Sequence, residues 1–181
     1  MTIIAESDRL ILRDWNPETE AKQAFEIYGD PDVMRYIGTG ATQESVESMQ
    51  TALRNRANQI IQLNDGSGFW AIFDKSKQDL VGTIILKRLP DGNQTPTSDW
   101  EVGWHLKKSA WGNGYATEGG RMALDYGFYQ LKLPVIYAVA NPENTASIRV
   151  AQRLGMIPRG CTTRYYGITL NLFELKHPSH G

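Results

Sequence analysis

The chain has 181 residues, of which 41% are hydrophobic and 22% charged, and its formal net charge is −1. This composition is typical of one globular domain and argues against a disordered chain or a basic nucleic-acid-binding protein. The sequence has no apolar run that could span a membrane, no signal-peptide pattern and only one cysteine, so we expect a single cytoplasmic domain over residues 1–181.

The first third of the chain is predicted to form a strand followed by helices. Residues 8–14 alternate in the manner of a strand, with leucines on one face. Asn16 and Pro17 suit the first positions of a helix. Thr42 then precedes a segment in which apolar residues recur every three or four positions. This pattern predicts a longer amphipathic helix that ends at residues 64–66.

The rest of the chain is predicted to contain mostly strands, with two more helices. In chain order these elements are strands at 69–74, 80–89 and 100–106, a helix at about 116–131, a strand at 135–140, a helix at 144–154, and one or two strands within 157–176. The whole order is β-α-α-β-β-β-α-β-α-β-β, which predicts an α/β domain with one mixed sheet and helices on both faces. Residues 177–181 are expected to form a disordered tail.

A pair of glycines, Gly112 and Gly114, lies where the strand at 100–106 leads into the next helix. Glycines at such a turn expose backbone N–H groups, and the positive end of a helix behind them favours an anion. Taken alone, the pair is more typical of a plain tight turn. Two better-known phosphate loops do not fit, since Thr117 stands where a dinucleotide fingerprint needs a small residue, and the Gly-Lys-Ser/Thr of a P-loop is absent.

Several segments together resemble the GNAT acetyltransferase superfamily, and most of all its Rim-type branch of protein N-terminal acetyltransferases. Residues 100–106 (WEVGWHL) and 111–118 (WGNGYATE) resemble the acetyl-CoA motif of this branch. Residues 7–13 (SDRLILR) and 30–37 (DPDVMRYI) resemble its opening, and residues 144–156 (NTASIRVAQRLGM) resemble its late helix. These segments occur in the family's order and span about nine-tenths of the chain.

The resemblance implies a GNAT fold with a mixed, mostly antiparallel sheet of six to seven strands, helices on both faces and a splayed central strand pair. It implies acetyl-CoA as cosubstrate. The glycine turn would bind the pyrophosphate through its backbone, while the end of the preceding strand and two later asparagines would contact the pantetheine arm. The implied cofactor-binding residues are His105, Leu106, Trp111, Gly112, Asn113, Gly114, Tyr115, Ala116, Thr117, Asn141 and Asn144. The histidines and the cysteine have no metal-ligand spacing, so no metal is expected.

Glu101 is the candidate general base for removing a proton from an amine. By alternation, Glu101, Gly103 and His105 share one face of their strand, and Trp104 takes the other face. A partly apolar site would raise the pKa of the Glu101 carboxyl towards the working pH. The alternative is an exposed strand glutamate that forms a salt bridge.

The general acid is less clearly marked by the sequence. Many GNAT enzymes place a tyrosine on the late helix to protonate the leaving thiolate, but Ala151 stands at the matching position. Members of the Rim-type branch can use a serine one turn earlier, which corresponds to Ser147. The alternative for Ser147 is a helix-interior serine that bonds back to a carbonyl.

No motif names the amine acceptor. A protein N-terminus, a free amino acid, a polyamine and an amine drug all remain open, and the first two helices with the turn at 165–167 would border the acceptor site. A non-catalytic acyl-CoA-binding or sensing module of the same fold is the alternative function. Neither nucleic acid nor membrane is expected as a partner, and the chain is expected to be a monomer or a homodimer.

Overall fold

The computed structural model describes residues 2–180, and within that range the chain forms eight strands and five helices. The strands are β1 (Ile3–Glu6), β2 (Leu10–Asp14), β3 (Gly68–Asp74), β4 (Asp79–Pro90), β5 (Pro96–Leu106), β6 (Val135–Ala140), β7 (Ile157–Thr162) and β8 (Leu170–Lys176). The helices are α1 (Pro17–Tyr28), α2 (Pro31–Met34), α3 (Val46–Leu63), α4 (Tyr115–Asp125) and α5 (Thr145–Arg153). A 3-10 turn at Lys108–Ala110 precedes α4, and a π-helical turn at Tyr126–Gln130 follows it.

The strands form one mixed sheet in the order β1-β2-β3-β4-β5-β6-β8-β7. Every neighbouring pair is antiparallel except β5 and β6, which are parallel. These two strands meet at a single registered pair, Glu101 with Tyr137. Beyond that pair the described residues of β5 and β6 have no registered partner across the gap. The predicted splayed central pair is therefore confirmed, and it leaves a slot in the middle of the sheet.

The predicted count of six to seven strands is too low, because β1 adds an eighth strand at the edge of the sheet. β1 pairs with β2 and is only partly buried along its length. An edge strand of four residues with little burial has no strict alternation of apolar and polar side chains. The pattern that revealed the inner strands was therefore missing here.

Helices cover both faces of the sheet, as predicted, and each face has its own apolar cluster. On one face, Ile27 of α1 and Leu53 of α3 belong to a buried cluster with residues of β3 and β4. On the other face, Leu124 of α4 packs in a cluster with Ile84 of β4. Gly119 lets α4 lie close to the sheet, since a Cβ added there would be only 2.9 Å from Ile84.

Side-chain caps decide where the helices begin. Asn16 and Asn144 cap α1 and α5 as predicted, and each side chain accepts a backbone N–H of the first helical turn. The cap of α3 is Ser45 rather than Thr42. Ser45 and Ser48 exchange side-chain and backbone hydrogen bonds in a capping box, which gives Ser45 the stronger start signal.

The C-terminal segment has contacts with the body of the domain. The backbone N–H of His177 donates to the Pro134 carbonyl at 2.9 Å, and its ring lies edge-on to those of Phe128 and Tyr129. Pro178–His180 form a 3-10 turn. Gly181, the last residue of the predicted tail, lies outside the described residues. No helix within residues 2–180 is both long and apolar enough to cross a membrane.

Candidate active site

The turn between β5 and α4 is built around two glycines in a left-handed conformation. Gly112 has φ +78° and Gly114 has φ +80°, values that other residues adopt only with strain. Gly114 is also the N-cap of α4, and no side chain bonds to the first N–H groups of this helix. Such N–H groups, at the positive end of a helix dipole, suit an anion.

Side chains within the turn hold its shape. The Asn113 amide nitrogen donates to the carbonyl oxygens of Ala110 at 3.1 Å and of Trp111 at 3.0 Å. The Trp111 indole N–H donates to the Leu106 carbonyl oxygen at 3.1 Å. The N–H of Trp111 donates to the Lys108 carbonyl oxygen at 3.2 Å. Because these groups are engaged within the turn, the backbone N–H groups that follow Trp111 are the donors left for a ligand.

Arg9 contacts the turn from the segment between β1 and β2. Its guanidinium donates to the Asn113 carbonyl oxygen at 3.3 Å and forms an ion pair with Glu118. The Ser7 hydroxyl donates to the same carboxylate at 2.6 Å. Glu118 therefore ties the turn between β1 and β2 to the first turn of α4.

A buried hydrogen bond anchors the first residue of α4. The Tyr115 hydroxyl donates to Asp74, which ends β3 and is only 3% exposed. Asp74 also accepts from the Ser76 hydroxyl at 2.7 Å and from the backbone N–H groups of Ser76 and Lys77. The Tyr115 hydrogen bond above all, helped by those of Ser76 and Lys77, holds the pKa of the Asp74 carboxyl well below its ordinary value, although burial acts to raise it.

Asp74→Asn is expected to reduce the free energy of unfolding at pH 7 by about 1–3 kcal/mol, because the amide cannot accept the same set of hydrogen bonds. A carboxyl whose pKa is lowered by folding stabilises the fold above its unfolded pKa of about 3.9, and this stabilisation is lost as the pH falls below that value. Urea unfolding should therefore show a smaller difference between the two proteins at pH ~3.5 than at pH 7.

Asp91→Asn is the control for the Asp74 variant, since Asp91 accepts two backbone N–H groups in an exposed turn. Its loss of stability is expected to be smaller, because water can replace the lost hydrogen bonds there. An Asp74→Asn effect that is no larger than the Asp91→Asn effect, or that is the same at both pH values, would contradict the anchoring role of Asp74.

Glu101 lies near the middle of the sheet and has two polar partners. The alternative interpretation was an exposed strand glutamate in a salt bridge. Glu101 does have an ion-pair partner, but the residue is only 7% exposed. Its Oε1 accepts a hydrogen bond from the Tyr166 hydroxyl and lies 3.3 Å from Lys87 Nζ. Burial raises the pKa of Glu101, and the charge of Lys87 and the Tyr166 hydrogen bond offset part of this rise.

Tyr166 reaches Glu101 from the turn between β7 and β8. Its backbone has φ +58°, a strained value for an aromatic residue. The Tyr166 N–H donates to the Pro90 carbonyl at 3.3 Å, and Lys87 Nζ lies 5.3 Å from the ring centroid. Burial and then the negative charge of Glu101 raise the pKa of Tyr166, so its hydroxyl keeps its proton. The neighbouring Tyr165 is 1% exposed and packs within the domain.

His105 lies on the same face of β5 as Glu101, four residues further along the chain. Its Nδ1 is 3.1 Å from the Tyr28 hydroxyl, which donates to Thr83 Oγ1 at 2.9 Å. Burial and then the positive charges of Lys87 and Arg56 lower the pKa of His105 to about 4. The imidazole is therefore neutral at neutral pH.

Ser147 lies in the first turn of α5. Its Oγ accepts a hydrogen bond from the Trp104 indole N–H at 3.2 Å, and its backbone N–H donates to the Asn144 side chain at 3.1 Å. The side chain of Asn141 accepts from the Glu143 N–H at 2.9 Å. Both asparagines thus shape the segment between β6 and α5. The alternative for Ser147, a hydroxyl bonded back to a helix carbonyl, is not what the structure contains.

One continuous cleft of ≈2490 Å³ brings the predicted site residues together. All of them line it, namely Glu101, His105, Leu106, Trp111, Gly112, Asn113, Gly114, Tyr115, Ala116, Thr117, Asn141, Asn144 and Ser147. The cleft also passes the slot between β5 and β6. It thus connects the glycine turn on one side with the face of Glu101 and His105 on the other. Within residues 2–180, no three His, Cys, Asp or Glu side chains are grouped as metal ligands would be.

Two groups of cleft residues were missed by the sequence reasoning. Lys87 lies opposite Glu101 in the register of β4 and β5, so only the pairing of the strands reveals it. Arg121 of α4 and Arg149 and Arg153 of α5 also line the cleft. The last two are four positions apart on one helix, and this spacing was a signal that could have found them.

Most of the chain matches one known protein family. Residues 9–157 match the model of the acetyltransferase (GNAT) domain. The protein YkkB of Bacillus subtilis (strain 168) is 33% identical, over 83% of this chain and 83% of its own length.

Solved structures with the same fold cover nearly the whole chain. The GNAT-family acetyltransferase of Bacillus anthracis aligns with a TM-score of 0.77 and 23% identity, over 98% of this chain and 99% of that one. RimL, a ribosomal L7/L12 alpha-N-protein acetyltransferase in complex with coenzyme A, aligns with a TM-score of 0.76 and 15% identity. The alignment covers 97% of this chain and 98% of the RimL chain. At these identities the structures establish the shared fold.

Proposed function

This chain is a member of the GNAT acetyltransferase family, and on that premise we propose that it transfers the acetyl group of acetyl-CoA to a primary amine in a ternary complex. The observation that carries the proposal is the cleft, which connects an uncapped helix start at the glycine turn with a buried carboxylate at Glu101. The first feature suits an anionic cosubstrate and the second suits the removal of a proton from an acceptor.

The residues of the cleft fit acetyl-CoA in two respects. The backbone N–H groups of residues 112–117 suit the pyrophosphate, because the glycines keep this backbone open and no side chain caps α4. The N–H of Trp111 is not among them, since it donates to the Lys108 carbonyl oxygen at 3.2 Å. The slot between β5 and β6 suits the pantetheine arm, with the backbone of His105 and Leu106 on one side and Asn141 and Asn144 on the other. The acetyl thioester supplies the reactive carbonyl, and the protein supplies position and proton transfer.

Glu101 is the proposed general base. It takes a proton from the acceptor amine, directly or through a water, so that the nitrogen can form a bond to the acetyl carbon as the carbon–sulfur bond breaks. Burial moves the pKa of Glu101 towards neutral pH, which makes it a better proton acceptor than an exposed carboxylate. Lys87 and Tyr166 hold the carboxylate in place, and both favour its ionised form.

Ser147 is the proposed general acid, which gives a proton to the leaving thiolate. Its oxygen already accepts from Trp104, so the hydroxyl proton is available for donation. Ser147→Ala is expected to lower turnover about 10- to 100-fold with little change in the KM for acetyl-CoA. Steady-state kinetics at saturating acceptor would measure this. Turnover within a few-fold of the parent would remove Ser147 from the mechanism.

The proposed function is tested by release of free thiol from acetyl-CoA in the presence of amines. The acceptors should cover peptides, amino acids, polyamines and aminoglycosides, with N-acetylated product identified by mass. We expect thiol release that depends on at least one of these classes. The alternative function, an acyl-CoA-binding or sensing module, predicts binding of acetyl-CoA with no thiol release for any amine.

A further inference from the structure

Arg56 of α3 lines the cleft on the acceptor side, away from the glycine turn. Its guanidinium carbon lies 5.5 Å from the centroid of the Phe69 ring, and its Nη1 donates to Gln59 Oε1 at 3.1 Å. The Phe69 ring stacks on that of Tyr28 at 5.9 Å, and the Tyr28 hydroxyl contacts His105. These contacts place Arg56 over the face of the sheet that carries His105.

Arg56 differs from its neighbours because its charge is not compensated. Three other cations that line the cleft each have a carboxylate partner: Lys87 with Glu101 at 3.3 Å, Arg88 with Asp65 at 3.0 Å and Arg35 with Glu143 at 3.7 Å. The cleft arginines of α4 and α5 have no such partner among residues 2–180, but they belong to the helices that follow the glycine turn and β6. Arg54, on the same helix, pairs with Glu18. Among residues 2–180, no carboxylate lies within 4.0 Å of the Arg56 guanidinium.

This charge pattern restricts the acceptor. A primary amine reaches the cleft mostly as an ammonium ion at neutral pH, and the negative charge of Glu101 is already balanced by Lys87. The free positive charge of Arg56 therefore repels an acceptor that carries only positive charges, such as a polyamine. An acceptor that brings its own anion removes this repulsion and gives Arg56 a partner.

We propose that the acceptor is a small primary amine that also carries a carboxylate, an amino-acid-like molecule whose carboxylate is bound by Arg56 while its nitrogen lies beside Glu101. This inference rests on the proposed acetyl transfer and narrows its acceptor class. The planar guanidinium matches a carboxylate through two parallel hydrogen bonds. The ring of Phe69 and the side chain of Ile85, both half-buried in the cleft wall, suit an apolar body between the two charged ends.

Matched pairs of acceptors test the proposal, with thiol release from acetyl-CoA as the readout. Phenylalanine and leucine are compared with their carboxamides, and putrescine and a neutral tripeptide amide serve as acceptors without a carboxylate. The wild-type protein is expected to prefer the free carboxylate by at least ~10-fold in kcat/KM. Arg56→Gln is expected to remove this preference by raising the KM of the carboxylate-bearing amine about 10- to 100-fold, with the KM for acetyl-CoA unchanged.

Arg54→Gln is the matched control, since it removes an arginine of the same helix that pairs with Glu18, and it should leave the preference intact. The proposal would be overturned if the wild-type protein acetylated the carboxamides, putrescine or the tripeptide amide with the same kcat/KM as the free amino acids. It would also be overturned if Arg56→Gln lowered kcat/KM equally for an amino acid and its carboxamide. Calorimetry with coenzyme A present separates the two proposals. N-acetylphenylalanine should bind more tightly than N-acetylphenylalaninamide in the wild-type protein only, even if no amine is acetylated. Equal binding would overturn the role of Arg56, whereas absence of thiol release would refute the transfer.

Discussion

Replacing Glu101 with glutamine is expected to lower turnover by about 100-fold or more while the affinity for acetyl-CoA changes little. Glutamine has nearly the same shape but cannot take a proton from an amine. Its amide can still contact the Tyr166 hydroxyl, so the fold should be retained. Initial rates at saturating acetyl-CoA, together with calorimetric binding of coenzyme A, separate the loss of chemistry from a loss of binding.

The pH profile gives a second readout for Glu101. A general base must be ionised, so kcat should fall as the pH falls through the pKa of Glu101, which burial raises above its ordinary value. Lys87→Met should move this acid limb to higher pH, because the charge of Lys87 lowers the pKa of Glu101. In Glu101→Gln, the fall of kcat that is due to protonation of Glu101 should be absent.

Glu174→Gln is the matched control for Glu101, because Glu174 is also a strand glutamate in an ion pair, with Arg159 at 2.7 Å. It lies in β8 outside the cleft, so its replacement should leave turnover unchanged. If Glu101→Gln turned over acetyl-CoA at a near-normal rate, or no more slowly than Glu174→Gln, Glu101 would be a structural residue.

Gly114→Ala is expected to weaken the binding of acetyl-CoA by at least ~10-fold, because an alanine in the left-handed conformation costs about 1–2 kcal/mol. The space for the methyl group is sufficient, since its nearest neighbour, Arg9 Nη2, would be 3.6 Å away. The strain is therefore in the backbone, and we expect the turn to relieve it by rotating the peptide units that are proposed to present N–H groups to the pyrophosphate. Calorimetric titration with coenzyme A measures the change.

Gly155→Ala separates ligand binding from general destabilisation. Gly155 follows α5, has the same φ of +80° and has no atom within 4 Å of an added Cβ. Its replacement introduces comparable strain at a position that does not line the cleft. Both variants should lose similar stability to urea, but only Gly114→Ala should lose affinity for coenzyme A. Equal affinity in both variants would show that the turn does not bind the pyrophosphate.

Local sequence signals predicted the parts of the site that depend on neighbouring residues. Gly112 and Gly114 indicated the open turn, and Asn144 indicated the start of α5, because left-handed turns and helix caps are determined within a few residues. The strand alternation around Glu101 correctly placed His105 on the same face. β1 escaped prediction because a short, half-exposed edge strand has no clear periodicity.

The sequence by itself determined the family, the order of the elements other than β1 and the short α2, and the positions of the turn and of Glu101, since motifs and periodicity are properties of contiguous segments. Only the tertiary structure decided the partners of Glu101. Tyr166 lies 65 positions away in the chain, and Lys87 meets Glu101 through the register of β4 and β5. The uncompensated charge of Arg56 is likewise a tertiary property. Whether a charged side chain has a partner depends on the distances between remote segments, and these are determined when the sheet and its helices pack together.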